Sequence, residues 1–322
     1  MKMKSRFTGG VDDMYNVHGH AGNLCREAIL EGLVEPVTIA DFGTADGRAA
    51  LSIINEMIGN TQNPGLTLTG NVYPVMIPRT MYEQCLPDNT IDLAISAAAT
   101  HYLSKQVCQI KNGVFIDEAD DEQQELMREQ GKTDWRDFVI SRGRELKPGG
   151  FLIVLNASSN DSEEMSSTNK KGKLLLGGIV SDMAREGIIT QEEYLATNFH
   201  VHYLRKAVDF KEPFTGTLPE IGELGLELVS MKSIKYYTPN PTVDIVDKDM
   251  VDKLKYSQWI VAMVYPWFYH VIHGGLSDSR TKDEKETIIA QYFSRLQKFA
   301  FDNSDFKPYL IFTEIVIKKN MK

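Results

Sequence analysis

Residues 35–47 read EPVTIADFGTADG. Glu35 to Phe42 is a short apolar and β-branched run, and Gly43, Thr44, Ala45, Asp46 and Gly47 follow it at once. Arg48 to Ile58 (RAALSIINEMI) then sets apolar residues at helical spacing. Strand, glycine turn and helix make the opening unit of an α/β nucleotide-binding fold. Small residues after the strand let a ligand approach the backbone closely, and the helix start can offer amide groups. No Gly-Lys-Ser/Thr follows, so this is no phosphate loop, and the third glycine of a dinucleotide fingerprint is missing. A tight turn that binds nothing would look the same in this stretch alone.

Working outward, Thr90 to Ser96 (TIDLAIS) and Phe151 to Asn156 (FLIVLN) read as further strands. Trp135 to Leu146 reads as a helix, and Leu146 to Gly150 (LKPGG) announces the next strand. Strands alternating with helices predict a parallel sheet. Ala157 to Lys173 is polar and aperiodic, hence a loop. Helices are predicted over Leu174 to Glu186, Thr190 to Thr197, Ser257 to Ile272 and Lys282 to Phe301, the second opening on a Thr190/Glu193 capping box. Leu226 to Tyr236 and Tyr309 to Lys318 read as late strands. The expected architecture is a parallel sheet with a helical insert late in the chain.

The chain has 322 residues, 42% apolar and 25% charged. That length supports a self-sufficient core without disulfides. Cys25, Cys85 and Cys108 form neither a disulfide framework nor a zinc spacing, which predicts a reducing, cytoplasmic setting. The basic start MKMKSRFTGG lacks an apolar run, so no signal peptide is expected. The longest apolar stretch, Trp259 to Ile272, contains Pro266 and His270 and is too short to span a bilayer. The net charge of −9, with scattered basic residues, argues against nucleic acid as a partner. No metal site is expected. His270 and His273 lack a third ligand, His200 and His202 merely alternate, and the acidic run Asp117 to Glu122 reads as a solvated loop or helix start.

Beyond the second strand, small residues follow Ser96 (Ala97, Ala98, Ala99), leaving room at the sheet's carboxyl edge, and His101 and Tyr102 come next, where a substrate would lie. Asp41, Gly43 and Gly47 form a D/E-x-G-x-x-x-G spacing, common where the ligand is S-adenosylmethionine. Together with Pro78 to Pro87 (PRTMYEQCLP), His101-Tyr102-Leu103-Ser104 and the Leu146 to Gly150 motif, the chain resembles the SABATH carboxyl methyltransferases. The resemblance covers most of the chain. It implies a Rossmann-like class I methyltransferase sheet with an α-helical cap over the acceptor. The sheet domain is then 1–160, 220–240 and 303–322, and the cap is 161–219 and 241–302. It implies S-adenosylmethionine as cofactor, held by Tyr15, Asp41, Gly43, Thr44, Asp46, Gly47, Thr80, Met81 and Ser96. It implies a small carboxylic acid as substrate, bound by Tyr15, His18, His101, Tyr102 and Trp267, with His101 and Tyr102 in the catalytic role. His18 stands where the family has asparagine, Gly22 where it has glutamine, and Tyr102 where it has tryptophan. Trp267 sits with Tyr265, Phe268 and Tyr269 in an aromatic cluster that suits core, cap or a homodimer interface.

One interval departs from the pattern. In this fold the second strand ends in an acid that holds the ribose hydroxyls. Gly59 to Pro78 (GNTQNPGLTLTGNVYPVMIP) contains no Asp or Glu, and against the family roughly one β-α unit looks absent. Leu66 to Thr69 is the expected strand there. Either a residue such as Asn71 does the ribose work, or the chain is a shortened relative or pseudoenzyme that keeps the pocket without methyl transfer.

The chemistry implied is in-line displacement. A carboxylate is already nucleophilic, so the site must align the acceptor and exclude water. Neutral donors such as His18, His101 and Tyr102 suit that task. For an O–H or N–H acceptor His101 would serve as base instead.

Overall fold

The computed structural model describes residues 37–43, 75–111, 113–159, 175–199, 202–237, 253–304 and 309–321. The helix expected at Arg48 to Ile58, the strand expected at Leu66 to Thr69, and the candidates Tyr15, His18, Thr44, Asp46 and Gly47 lie outside the described residues.

The sheet opens with β1 (Ile39–Asp41) and β2 (Ile91–Ala97), which pair in parallel. A side-chain clip fixes their lower ends: Asp92 accepts from the Thr38 amide at 2.8 Å and from Lys147 Nζ at 2.7 Å. Helix α1 (Asp121–Glu145) follows. It begins fourteen residues before the predicted start at Trp135. Asp120 caps it, accepting from Gln123 N at 2.8 Å, and Asp121 and Glu122 favour the positive helix end. The first turns carry polar residues on most faces, which conceals the helical period in the sequence. The 117–122 run is thus a short 3-10 turn (Ile116–Glu118) and this helix start.

Strand β3 (Leu146–Ala157) starts earlier than predicted, because Leu146 pairs with Ile91 before an irregularity over the Pro-Gly-Gly segment resets the register at Leu93↔Phe151. Helix α2 (175–185) and α3 (Gln191–Ala196) form as predicted, and Thr190 and Glu193 make the expected capping box. Short helices α4 (Ala207–Lys211) and α5 (Pro219–Glu223) lead to β4 (Leu226–Tyr237). Helices α6 (Lys253–Gly275) and α7 (Lys282–Asp302) precede β5 (Tyr309–Lys319).

The strand order is β1-β2-β3-β5-β4. Only β1, β2 and β3 are parallel, and β5 runs antiparallel to both β3 and β4. The expected parallel sheet is therefore a mixed one. After the helical excursion α6–α7 the chain re-enters from the opposite end and slots β5 between two strands already in place. Its buried run Ile311, Phe312, Ile315, Val316, Ile317 suits a strand covered on both faces.

The core forms two main clusters. One joins the sheet to α1 and includes Phe42, Leu152, Val154, Trp135, Phe138, Phe210 and Ile315. The other is helical: α2, α6 and α7 meet around Val180, Tyr256, Ile260, Val264, Phe268, Ile289, Tyr292 and Phe293, joined by Phe115 and Phe199 from flanking segments. No helix among the described residues is long and apolar enough to cross a membrane.

Candidate functional site

Ligands of open α/β sheets lie outside the carboxyl ends of the parallel strands. Here those ends bring together Asp41-Phe42-Gly43 from β1, Ser96 to Tyr102 from β2 and Asn156 to Ser158 from β3. The first two are tied by Phe42 N to Ile95 O at 2.8 Å and Ser96 Oγ to Phe42 O at 2.9 Å. Gly43 adopts φ +82°, and a Cβ on it would collide with the Ala99 Cβ and come within 3.0 Å of Met81 Sδ. Only glycine fits that turn, and Met81 faces it from the opposite wall. Thr80, one residue before, is exposed, and its hydroxyl receives the Tyr82 amide at 3.4 Å.

Beyond β2 the chain turns through Ala98, a left-handed alanine at φ 53°, whose amide donates to Leu155 O at 2.8 Å. Such strained non-glycine positions gather at functional sites. The turn delivers Thr100 and His101 onto Asn156, which ends the apolar part of β3. Thr100 Oγ1 donates to Asn156 Oδ1 at 2.8 Å, and His101 Nδ1 lies 3.4 Å from the same oxygen. Tyr203 N donates to His101 O at 2.9 Å. The Tyr82 hydroxyl bonds to Tyr102 O, and the buried Arg205 guanidinium bonds to Thr100 O and, from Nε and Nη2, to Gly131 O at 2.9 and 2.7 Å. The carbonyls of Thr100, His101 and Tyr102 are thus each held by a neighbouring segment.

An aromatic wall stands next to it. The His101 ring is 4.5 Å from Tyr102 and 5.0 Å from His202. His202 stacks on Phe199 at 4.7 Å, and Phe199 reaches Trp267 at 5.9 Å and Phe115 at 5.9 Å. Tyr102 and His202 also pair as an antiparallel bridge, so the two rings are held by backbone. Trp267 contributes its ring face; its indole N–H donates to Met263 O of its own helix at 3.0 Å.

Burial keeps His101 neutral, lowering its pKa to about 4; the Asn156 contact opposes this and the Arg205 charge adds to it. Burial likewise raises the Tyr102 and Tyr82 phenols and lowers Arg205. Because Asn156 Oδ1 also accepts from Thr100, the hydrogen-bond network assigns the His101 proton to Nδ1 and leaves Nε2 with a lone pair.

Of the sequence candidates, Asp41, Gly43, Met81 and Ser96 meet on the β1 side, and His101, Tyr102 and Trp267 belong to the aromatic wall. Ser96 is 1% exposed with its hydroxyl on Phe42 O, so it braces the turn. Sequence reasoning missed Asn156, Phe199, His202 as a wall residue, and Arg205. A polar residue closing the apolar strand FLIVLN was the available signal for Asn156. Among the described residues no cluster of His, Cys, Asp and Glu could hold a metal ion.

Residues 60–215 match a family model described as SAM dependent carboxyl methyltransferase. Methyltransferase LUC1 of Fusarium sp is 24% identical over 304 residues, 83% of this chain and 81% of its own. Indole-3-acetate O-methyltransferase 1 of Arabidopsis thaliana is 27% identical over 192 residues, 54% of this chain and 48% of its own, so this chain spans about half the length of that relative. Among solved structures, loganic acid methyltransferase with SAH matches over 99% of this chain and 98% of its own, with TM-score 0.68 at 16% identity. The shared fold is Rossmann-like, with the open sheet described above.

Proposed function

We propose that this chain belongs to the SABATH family of S-adenosylmethionine-dependent carboxyl methyltransferases and, on that premise, that it esterifies a small carboxylic acid. The observation that carries the reading is the neutral, buried His101, fixed by Asn156 beside the Tyr102–His202–Phe199 wall at the sheet's carboxyl edge.

The donor side fits the cofactor. Gly43 is stripped of its Cβ where backbone and ligand must approach, Asp41 supplies a carboxylate, and Met81 a soft side chain. Thr80 and the brace Ser96 belong to this side, and the family resemblance adds Tyr15, Thr44, Asp46 and Gly47, which lie outside the described residues. S-adenosylmethionine supplies an electrophilic methyl group on a sulfonium when bound. The chain's own task is to bring the acceptor in line and dry. Tyr102 offers a hydroxyl donor to a carboxylate oxygen, and His101 fixes the floor; His18, which the family resemblance adds to the acceptor site, lies outside the described residues. Neutral donors orient the carboxylate without quenching its charge, and the aromatic wall, Trp267 included, excludes water. Helices α2, α6 and α7 act as the cap within 161–219 and 241–302, although Phe210, Phe214 and Leu218 of the first span pack in the sheet-side cluster.

The lone pair on His101 Nε2 favours a second reading. It would take a proton from an O–H or N–H acceptor. The test is calorimetry with S-adenosylhomocysteine, then a methyl-donor assay over aromatic and fatty acids and heterocyclic N–H and O–H compounds. Methyl esters are the expected product. Absence of binding at millimolar ligand overturns methyl transfer and leaves the pseudoenzyme. The setting we propose is cytoplasmic, on the uncombined Cys85 and Cys108 thiols, with a homodimer as the assembly that sedimentation would test.

A further inference from the structure

One fully buried ion pair lies outside this machinery. Arg142 and Glu145, in the last turn of α1, are both 0% exposed and meet at 2.7 Å. Burying two charges is costly unless their remaining hydrogen-bond capacity is met. Here it is met by two separate walls of the donor side. Arg142 Nη1 donates to Met81 O at 2.6 Å and Nη2 to Glu83 O at 2.9 Å. Glu145 Oε1 accepts the amides of Cys85 and, at 2.9 Å, Leu86. The flat face of the guanidinium lies 3.7 Å over the Phe42 ring, one residue before Gly43. A single side-chain pair therefore grips the 80–86 segment by four backbone groups and the end of β1 by an aromatic ring. These grips hold Met81 and Gly43 face to face, so closely that a Cβ on Gly43 would come within 3.0 Å of Met81 Sδ.

We propose that the Arg142–Glu145 pair is a positioning clasp that sets the width of the donor groove, and so the affinity for S-adenosylmethionine, without touching the cofactor. The proposal rests on the methyltransferase reading. The guanidinium shape is essential to it. Lysine keeps the charge, but has neither the planar face for Phe42 nor the fork that reaches Met81, Glu83 and Glu145 together.

The test compares the full chain with Arg142→Lys and with the double variant Arg142→Met/Glu145→Met. Replacing both members of a buried pair by apolar residues of similar volume is often neutral for stability, so the double variant separates folding from positioning. Calorimetry with S-adenosylhomocysteine should show roughly tenfold or greater weakening in both variants, the scale of a lost charged hydrogen bond. The KM for the acid should stay unchanged, and turnover should largely recover at saturating donor. A folded variant whose S-adenosylhomocysteine affinity stays within about twofold of the parent, or whose donor and acceptor constants weaken alike, overturns the clasp alone. A parent chain that fails to bind S-adenosylhomocysteine overturns the methyltransferase reading and the clasp with it.

Discussion

The sheet-side and helical clusters are built from different material. Beside the sheet, buried polar groups are frequent: Arg142 with Glu145, Arg205 against two carbonyls, Asp134 taking Ser104 N at 2.8 Å and Ser104 Oγ at 2.6 Å, and Asn156 under His101. The helical cluster instead stacks rings: Phe115 on Phe268 at 5.7 Å, Phe268 by Tyr292 at 5.2 Å, Tyr292 by Phe293 at 5.1 Å. Directional bonds fix atoms to fractions of an ångström, whereas apolar packing fixes volume. The difference assigns tasks. On the proposed function, the sheet edge would hold the reacting geometry, and the helices the shape that surrounds it.

The largest effect should therefore come from hollowing the helical side. Phe268 is 0% exposed, and Phe268→Ala should cost about 3–5 kcal/mol by denaturant unfolding. Molecules that remain folded should still bind S-adenosylhomocysteine normally. Equal loss of donor binding would erase the division of labour between the clusters.

Next is a pH effect from the sheet side. His101 falls from 6.5 in the unfolded chain to about 4 when folded. Between those values the unfolded state binds a proton that the native state refuses, so stability falls as pH falls from 6.5 towards 4. Above 6.5 its contribution is flat. The gap of about 2.5 units is worth roughly 3 kcal/mol. Subtracting the unfolding profile of His101→Phe from that of the parent should show this rise and plateau. A flat difference would mean that the ring is solvated, and the sheet edge less dry than its contacts make it.

Smaller still is the removal of Asn156 as an acceptor. Asn156→Leu leaves Thr100 without its partner and His101 free to change tautomer and tilt. Turnover should drop on the order of tenfold or more at saturating donor, from misalignment of the acceptor. Donor affinity should hold. A matching loss of donor affinity would show that the two halves of the sheet edge act as one unit.

The sequence was legible where one local rule decides the outcome. The glycine turn after β1, the Thr190–Glu193 box and the apolar strands β2, β3 and β5 each follow from residues close together in the chain. The start of α1 was not legible, because its cap at Asp120 precedes turns with polar residues on nearly every face. Nor was the direction of β5, since strand orientation depends on how the chain returns after α6 and α7. At the candidate site, their position after a strand places His101 and Tyr102 at the sheet's carboxyl edge. Asn156, His202 and Arg205 could not be placed so, since they stand 55 to 105 positions along the chain from their partners and only the fold joins them. Arg142 and Glu145 read as ordinary charges near a helix end until the 80–86 segment closes over them.

The smallest effect sharpens the contrast from outside both clusters. Lys298 and Asp302 sit at 2.7 Å in α7 with 78% and 50% of their side chains exposed. Water screens such a pair, and holding two long side chains in one geometry opposes the attraction. Lys298→Ala should change unfolding free energy by less than about 0.5 kcal/mol, against the several expected of Phe268→Ala in the neighbouring layer. Its distance of 2.7 Å equals that of Arg142–Glu145, so burial, not separation, is what distinguishes the two. A larger loss at Lys298 would mean that separation alone governs these pairs, and the buried clasp would lose its special standing.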